Sequence, residues 1–166
     1  GFSPITNVYT IRNGLFLQKE DGRTTAAGYN WDSRLGVDSN QYIIDTHTRV
    51  RFENLLQVSG DGNYTLFLLE DGSVYGNGYY WSETYPEKTN EGFTKIFDEG
   101  IVSIATGASH ALFLDDKGNV WGVGSNDRGQ LGGGSESPNE LDLAIVFDSR
   151  AKEICAGNQF SAIIGT

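Results

Sequence analysis

The side chains able to do chemistry are few, and their spacing argues against a catalytic centre. Ser109 and His110 are a nucleophile and a base by type. As neighbours on an extended segment they point to opposite faces, a poor geometry for moving a proton between them. Asp115-Asp116 and Glu70-Asp71 read as paired carboxylates, yet each pair runs into a glycine, Gly118 or Gly72, in a pattern where Asp shapes a tight turn. Asp61-Gly62-Asn63 opens like a calcium loop but lacks a Glu at the later position such a loop needs. One cysteine, Cys155, and two histidines are too few for an ordinary protein-only zinc site, and Cys155 has no internal disulfide partner. Gly122-Val123-Gly124 is too short for a dinucleotide fingerprint, and no P-loop, nucleophile elbow or zinc helix occurs. No catalytic residue, metal site or cofactor is expected. What remains is aromatic: the triplets Tyr29-Asn30-Trp31 and Tyr79-Tyr80-Trp81.

The elements that must hold these residues emerge from self-comparison. A shift of 46 residues lays Leu66-Phe67-Leu68 on Leu112-Phe113-Leu114, Gly72 on Gly118, Tyr75 on Trp121 and Gly78 on Gly124. A shift of 50 lays Gly28-Tyr29-Asn30-Trp31 on Gly78-Tyr79-Tyr80-Trp81, and another lays Gly107 on Gly157. Copies therefore begin near residues 5, 55, 101 and 151, giving repeats of about 5–54, 55–100 and 101–150 with a partial copy over 151–166. Each copy reads as short apolar runs joined by turns. The third has Ile101–Ala105, His110–Leu114, Val120–Gly124 and Leu143–Phe147, and the matching fourth runs are Phe93–Phe97 and Thr48–Phe52. Four short strands per repeat of about fifty residues predict an all-β chain of β-propeller blades, three complete and one reduced to its first two strands, in one repeat domain over residues 1–166.

The third copy carries a resemblance. Ile104–Leu114 with its Gly107-x-x-His110 element, Gly118–Asn126, and the Gly129-Gln130-Leu131-Gly132 tetrad together resemble the regulator of chromosome condensation repeat. Leu35-Gly36 keeps half of the tetrad in the first copy, whereas the second has Trp81-Ser82-Glu83-Thr84 there, and the equivalents of His110 are Gly14, Tyr64 and Phe160. The resemblance implies seven-bladed propellers that bind other proteins in varied tasks: nucleotide exchange on the GTPase Ran with nucleosome docking, plant light sensing, or inhibition of β-lactamases. It also implies a structural role for His110. The repeats here are compact and the charge acidic, so Ran exchange is disfavoured at this stage.

Charge and composition bound the function further. The net charge is −10. The first sixty residues balance six basic against six acidic side chains, so the whole excess lies beyond them. Such a field repels phosphate, and direct nucleic-acid binding is not expected. No run approaches the ~18 apolar residues of a membrane span. The chain contains no Met, which suits a processed chain or a piece of a longer one. The Asn63-Tyr64-Thr65 sequon leaves the compartment open.

Three blades and two strands do not close a ring. The open edges are expected to meet further blades or other copies of the chain, forming a homo-oligomer or polymer by strand addition. Ile154, Ala156, Phe160, Ala162, Ile163 and Ile164 of the terminal pair are the candidate self-association residues. Tyr29, Trp31, Tyr79, Tyr80 and Trp81 are candidate binding aromatics, with burial between blades as the alternative for Trp31 and Trp81. Trp121 is expected in the core. The leading expectation is a non-enzymatic, self-assembling interaction module in a surface, extracellular or virion assembly. The alternative is a fragment of an intracellular regulator that binds a small GTPase or chromatin.

Overall fold

The computed structural model describes residues 3–61, 64–78, 89–90, 92–132, 143–148 and 150–165. The chain divides into two compact units, residues 1–99 and 100–166. The first unit holds β1 (Ile5–Ile11), β2 (Gly14–Lys19), β3 (Arg23–Tyr29) and β4 (Ile43–Glu53), which form an antiparallel sheet in sequence order. It continues with β5 (Leu55–Asp61), β6 (Tyr64–Leu69), β7 (Val74–Asn77), β8 (Thr89–Asn90) and β9 (Phe93–Phe97), in the order β5-β6-β7-β9-β8. The second unit holds the four-stranded sheet of β10 (Ile101–Thr106), β11 (His110–Asp115), β12 (Val120–Gly124) and β13 (Ala144–Phe147). The hairpin of β14 (Ala151–Ala156) and β15 (Ser161–Gly165) completes it.

First strands start at residues 5, 55, 101 and 151, where the repeat placed them. Two details differ from expectation. Strand β4 begins at Ile43 rather than near residue 48, because a second stretch beyond a register shift pairs Gly28 with Ile44 and Tyr29 with Ile43. The two-residue β8 pairs with β9 and adds a fifth strand to the second sheet. Every first strand carries a register shift two residues into its pairing, at Ile5/Asn7, Leu55/Gln57, Ile101/Ser103 and Ala151/Glu153. A bulge repeated at one position sharpens the local twist of each sheet in the same place.

Packing explains the residue choice. Strands β6 and β11 have both faces covered, so Tyr64–Leu68 and His110–Leu114 are continuously buried and do not alternate. Burying a side chain such as Phe67 or Phe113 contributes about 1.5–3 kcal/mol. Gly124 closes the end of its blade in a left-handed conformation (φ 104°), and a Cβ there would sit 2.4 Å from the Ser109 carbonyl oxygen. Trp121 is half-buried rather than core: its indole N–H donates to Asp115 Oδ2 at 3.1 Å, which holds the ring near the hairpin turn.

Candidate functional site

The loop leaving β3 is built around one buried amide. Asn30, 3% exposed, donates from Nδ2 to the carbonyls of Ser39 (3.1 Å) and Gln41 (3.2 Å) and accepts at Oδ1 from the Leu35 N–H (3.1 Å). The third repeat uses the same device: Asn126 donates to the Gly132 carbonyl (3.0 Å) and accepts from the Leu131 N–H (2.7 Å). In the first unit Asn77 Nδ2 adds a bond to the Ser33 carbonyl, 2.6 Å long, tying β7 to this loop.

The clamp turns aromatic side chains outward. Trp31 opens a single 3-10 turn, Trp31–Ser33, and is 50% exposed. Tyr29 lies 6.3 Å from it at a 52° tilt, and Tyr42 packs edge-on at 6.1 Å while remaining 68% exposed. The Arg34 guanidinium stands 5.4 Å over the Tyr29 ring, and its Nε donates to the Trp31 carbonyl at 2.9 Å. Burial pulls the Arg34 pKa down from its ordinary value, against the opposing pull of Asp32. Rings held this way cost little entropy when a partner covers them. Trp31 is thus not enclosed by the described residues. Tyr42 and Arg34 were missed in the sequence because neither is repeated in the other copies; Tyr42 joins the group through the early start of β4. Tyr79, Tyr80 and Trp81 lie outside the described residues.

The terminal hairpin splits the candidate self-association residues by face. Ile154, Ala156 and Ile163 are half-buried against the core of the second unit, with Leu112, Leu114 and Leu131. Phe160 (63%), Ile164 (57%) and Ala162 face outward. Phe160 occupies in its copy the seat that His110 holds in the preceding one. A Cβ on Gly157 would meet the Phe160 ring at 2.3 Å, as one on Gly107 would meet the His110 ring at 2.1 Å. His110, however, is 1% exposed and shares a 2.9 Å hydrogen bond with Ser161 Oγ, while Ser109 is exposed. Burial lowers the His110 pKa, against a backbone hydrogen bond at Phe160 that raises it. Its role is to join β11 to β15.

The carboxylate pairs shape turns. Asp71 Oδ1 accepts from the Ser73 N–H (2.9 Å) and hydroxyl (2.6 Å), ahead of Gly72 at φ 80°. Asp115 accepts from Lys117, Asn119 and Trp121 beside Gly118 at φ 84°. Burial pushes the Asp115 carboxyl up, but these hydrogen bonds outweigh it and hold the pKa below the ordinary range. Among the described residues no group of three His, Cys, Asp or Glu side chains could hold a metal ion. None of the described helices is long and apolar enough to cross a membrane.

Antiparallel blades repeated along the chain, with clamped loops at their ends, define a β-propeller repeat protein. The regulator of chromosome condensation (RCC1) repeat matches residues 101–130 in one form and 117–164 in another, and the chain belongs to this RCC1-like repeat family. It is 31% identical over 149 residues to the human RCC1-like G exchanging factor-like protein, covering 72% of this chain and 32% of that protein. It is 28% identical over 147 residues to the human E3 ubiquitin-protein ligase HERC2, covering 80% of this chain and 3% of that one. Among solved structures, Prp20p of Saccharomyces cerevisiae, described with its binding properties to Gsp1p and histones, superposes with a TM-score of 0.79. That match has 18% identity over 97% of this chain and 43% of Prp20p, so it speaks to the fold. The chain spans about a third of the RCC1-like exchanging factor it matches.

Proposed function

We propose that this chain is a non-enzymatic protein-recognition segment of an RCC1-type propeller, residues 1–166 forming one repeat domain, and that its partner is a small GTPase in a nucleotide-exchange role. The observation that carries the reading is the likeness to the RCC1-like G exchanging factor-like protein. This reverses the weight given above to self-assembly, because a likeness over 72% of the chain to a protein named as an exchanging factor outweighs an argument from charge and repeat length. The ligase activity named for HERC2 belongs to a protein of which the match covers 3%. The rigid cluster of Tyr29, Trp31 and Tyr42 supplies anchors of the type that dominate protein interfaces.

The test is release of a fluorescent GDP analogue from a panel of small GTPases, with and without the chain. Faster release from at least one member, lost on Trp31→Ala, supports the reading. No acceleration and no complex with any nucleotide-free member overturns it.

A second reading is joining to further blades or copies, supported by Phe160 and Ile164 standing exposed where the preceding repeat buries His110 and Leu114. Light scattering across a dilution series tests the copy arm: a mass above 18.1 kDa that falls on Phe160→Ser supports it, and a monomer at every concentration removes it.

A further inference from the structure

The sequence holds two Asn-Gly dipeptides, Asn13-Gly14 and Asn77-Gly78. Such a pair can react with itself, because a glycine carries no side chain to keep its amide nitrogen from the asparagine carbonyl carbon. Their surroundings separate the two. Asn77 is 1% exposed, pairs with Thr65 on one side and Phe93 on the other, and donates from Nδ2 to the Ser33 carbonyl at 2.6 Å. Its Oδ1 accepts from the Gly78 N–H at 2.8 Å, so both reacting groups are held in place and shielded from water.

Asn13 is the second residue of the turn Arg12-Asn13 between β1 and β2, exposed and left-handed at φ 64°. Asn tolerates that backbone better than most side chains. Gly14 is fixed by packing: a Cβ there would lie 2.8 Å from both Ile11 Cγ1 and Leu35 Cδ2. Leu35 belongs to the core at the seam where Phe16 of the first sheet meets Phe67 of the second at 5.9 Å. The fold thus calls for both residues of the dipeptide and sets them at a turn tip, where local opening is far cheaper than inside a sheet. The exposure goes with the position, since Ser109 at the same tip of the third repeat is exposed too. The tip also anchors the loop described above. The Asn13 carbonyl accepts from the Tyr29 N–H at 2.8 Å, as the Ser109 carbonyl accepts from the Ser125 N–H at 2.8 Å.

We infer that Asn13-Gly14 is a modification site at which the chain deamidates itself to aspartate and isoaspartate, and that the isoaspartyl form releases Tyr29 at the base of the aromatic loop. The Gly14 nitrogen attacks Asn13 Cγ. The N–Cγ bond forms, the Cγ–Nδ2 bond breaks, and the Gly14 amide proton leaves with the side-chain amide as ammonia. Water then opens the resulting imide. Attack at Cγ gives an aspartate. Attack at the main-chain carbonyl carbon routes the chain through Cγ, lengthens it by a methylene and turns the former carbonyl into a free carboxylate. The Tyr29 N–H then loses the main-chain acceptor that sets it. The inference does not depend on which partner the loop binds.

The experiment is incubation of the full chain in mildly alkaline water enriched in heavy oxygen, followed by peptide mapping by mass spectrometry and enzymatic methylation of isoaspartate. The expected result is uptake of one solvent oxygen at Asn13, about tenfold or more faster than at Asn77, with a product that accepts the methyl group. Unfolding in urea should bring the two rates together, because the fold makes the difference. The converted chain should show a shifted Tyr29 amide by NMR, with the Ser125 amide unmoved. Asn13→Gly, which suits the left-handed backbone and has no side chain to react, should stay unlabelled at the turn. The comparison of Asn13 with Asn77 decides the matter without that variant. No conversion at Asn13, conversion no faster than at Asn77, or a rate gap that persists in urea would overturn the site. An isoaspartyl product that leaves the Tyr29 amide unmoved would overturn its effect on the loop.

Discussion

The two seams of this chain are built on one plan and finished differently. In the first unit Phe16 and Phe67 meet at 5.9 Å and Phe52 joins them at 5.1 Å from Phe67, so blade faces lock through rings. In the second unit Leu112 and Ile163 stand in the places of Phe16 and Phe67, and Asp148 replaces Phe52 in the sequence. The loop that roofs each seam keeps its Asn clamp and its Leu-Gly pair. The roof is therefore conserved within the chain while the filler is not, which separates what the fold requires from what a particular seam uses. The exposed aromatic cluster of Tyr29, Trp31 and Tyr42 sits on the loop of the first seam. Rigid packing beneath Leu35 holds that loop and its outward rings in place.

The largest break in this comparison is expected from Phe67→Ala. Removing a fully buried ring should cost about 3–5 kcal/mol in urea unfolding, against about 1–2 kcal/mol for the half-buried Ile163→Ala. Asn30→Ala comes next. It leaves the Leu35 N–H and the Ser39 and Gln41 carbonyls without their bonds at a site 3% exposed, for a loss of about 2–3 kcal/mol. Asn126→Ala, half-exposed, should lose about 1 kcal/mol in the same assay. The roof glycines sharpen the contrast further. Gly36 (φ 66°) and Gly132 (φ 72°) both disfavour Ala by about 1 kcal/mol, but among the described residues only Gly36→Ala meets a ring, which should add about 1 kcal/mol. Equal losses at the two glycines would erase the difference between the seams.

The smallest effect is electrostatic. Hydrogen bonds from Ser73 hold the Asp71 carboxyl below its ordinary pKa; those from Asn119, Trp121 and Lys117 do the same for Asp115 against the upward push of burial. A carboxyl lowered by folding adds stability above its unfolded value of about 3.9 and loses it as pH falls through the folded value. Urea midpoints should therefore begin to fall below about 6.5, where the unfolded chain protonates His110 and the folded chain, with its lowered pKa, does not, and fall further below about 4 as these carboxyls protonate. Asp115→Asn should flatten part of that fall.

Much of this was legible in the sequence because a repeat tests itself. Slippage of a single strand would break the alignment of Gly72 with Gly118 and of Leu68 with Leu114, and first strands do begin at 5, 55, 101 and 151. The turn role of Asp71 and Asp115 followed from the glycines beside them. What escaped was whatever the repeat does not share. The early start of β4, which brings Tyr42 beside Trp31, depends on pairing beyond a register shift at Ala26/Gly28. Trp121 was assigned to the core by its size, whereas the carboxylate of Asp115 draws its indole N–H toward the surface. Among the terminal residues, alternation along β14 and β15 decides which face each takes, and a list by hydrophobicity merges the two faces.

The central claim is recognition of a partner protein through the loop leaving β3. Its most direct measurement is the affinity of the intact chain for a nucleotide-free small GTPase, compared with a Trp31→Ala, Tyr42→Ala double variant whose fold is checked by NMR. The expected result is a complex weakened by about a hundredfold or more in the double variant, the loss of two aromatic anchors. An unchanged affinity in a folded variant would contradict the claim and move the recognition surface elsewhere on the chain.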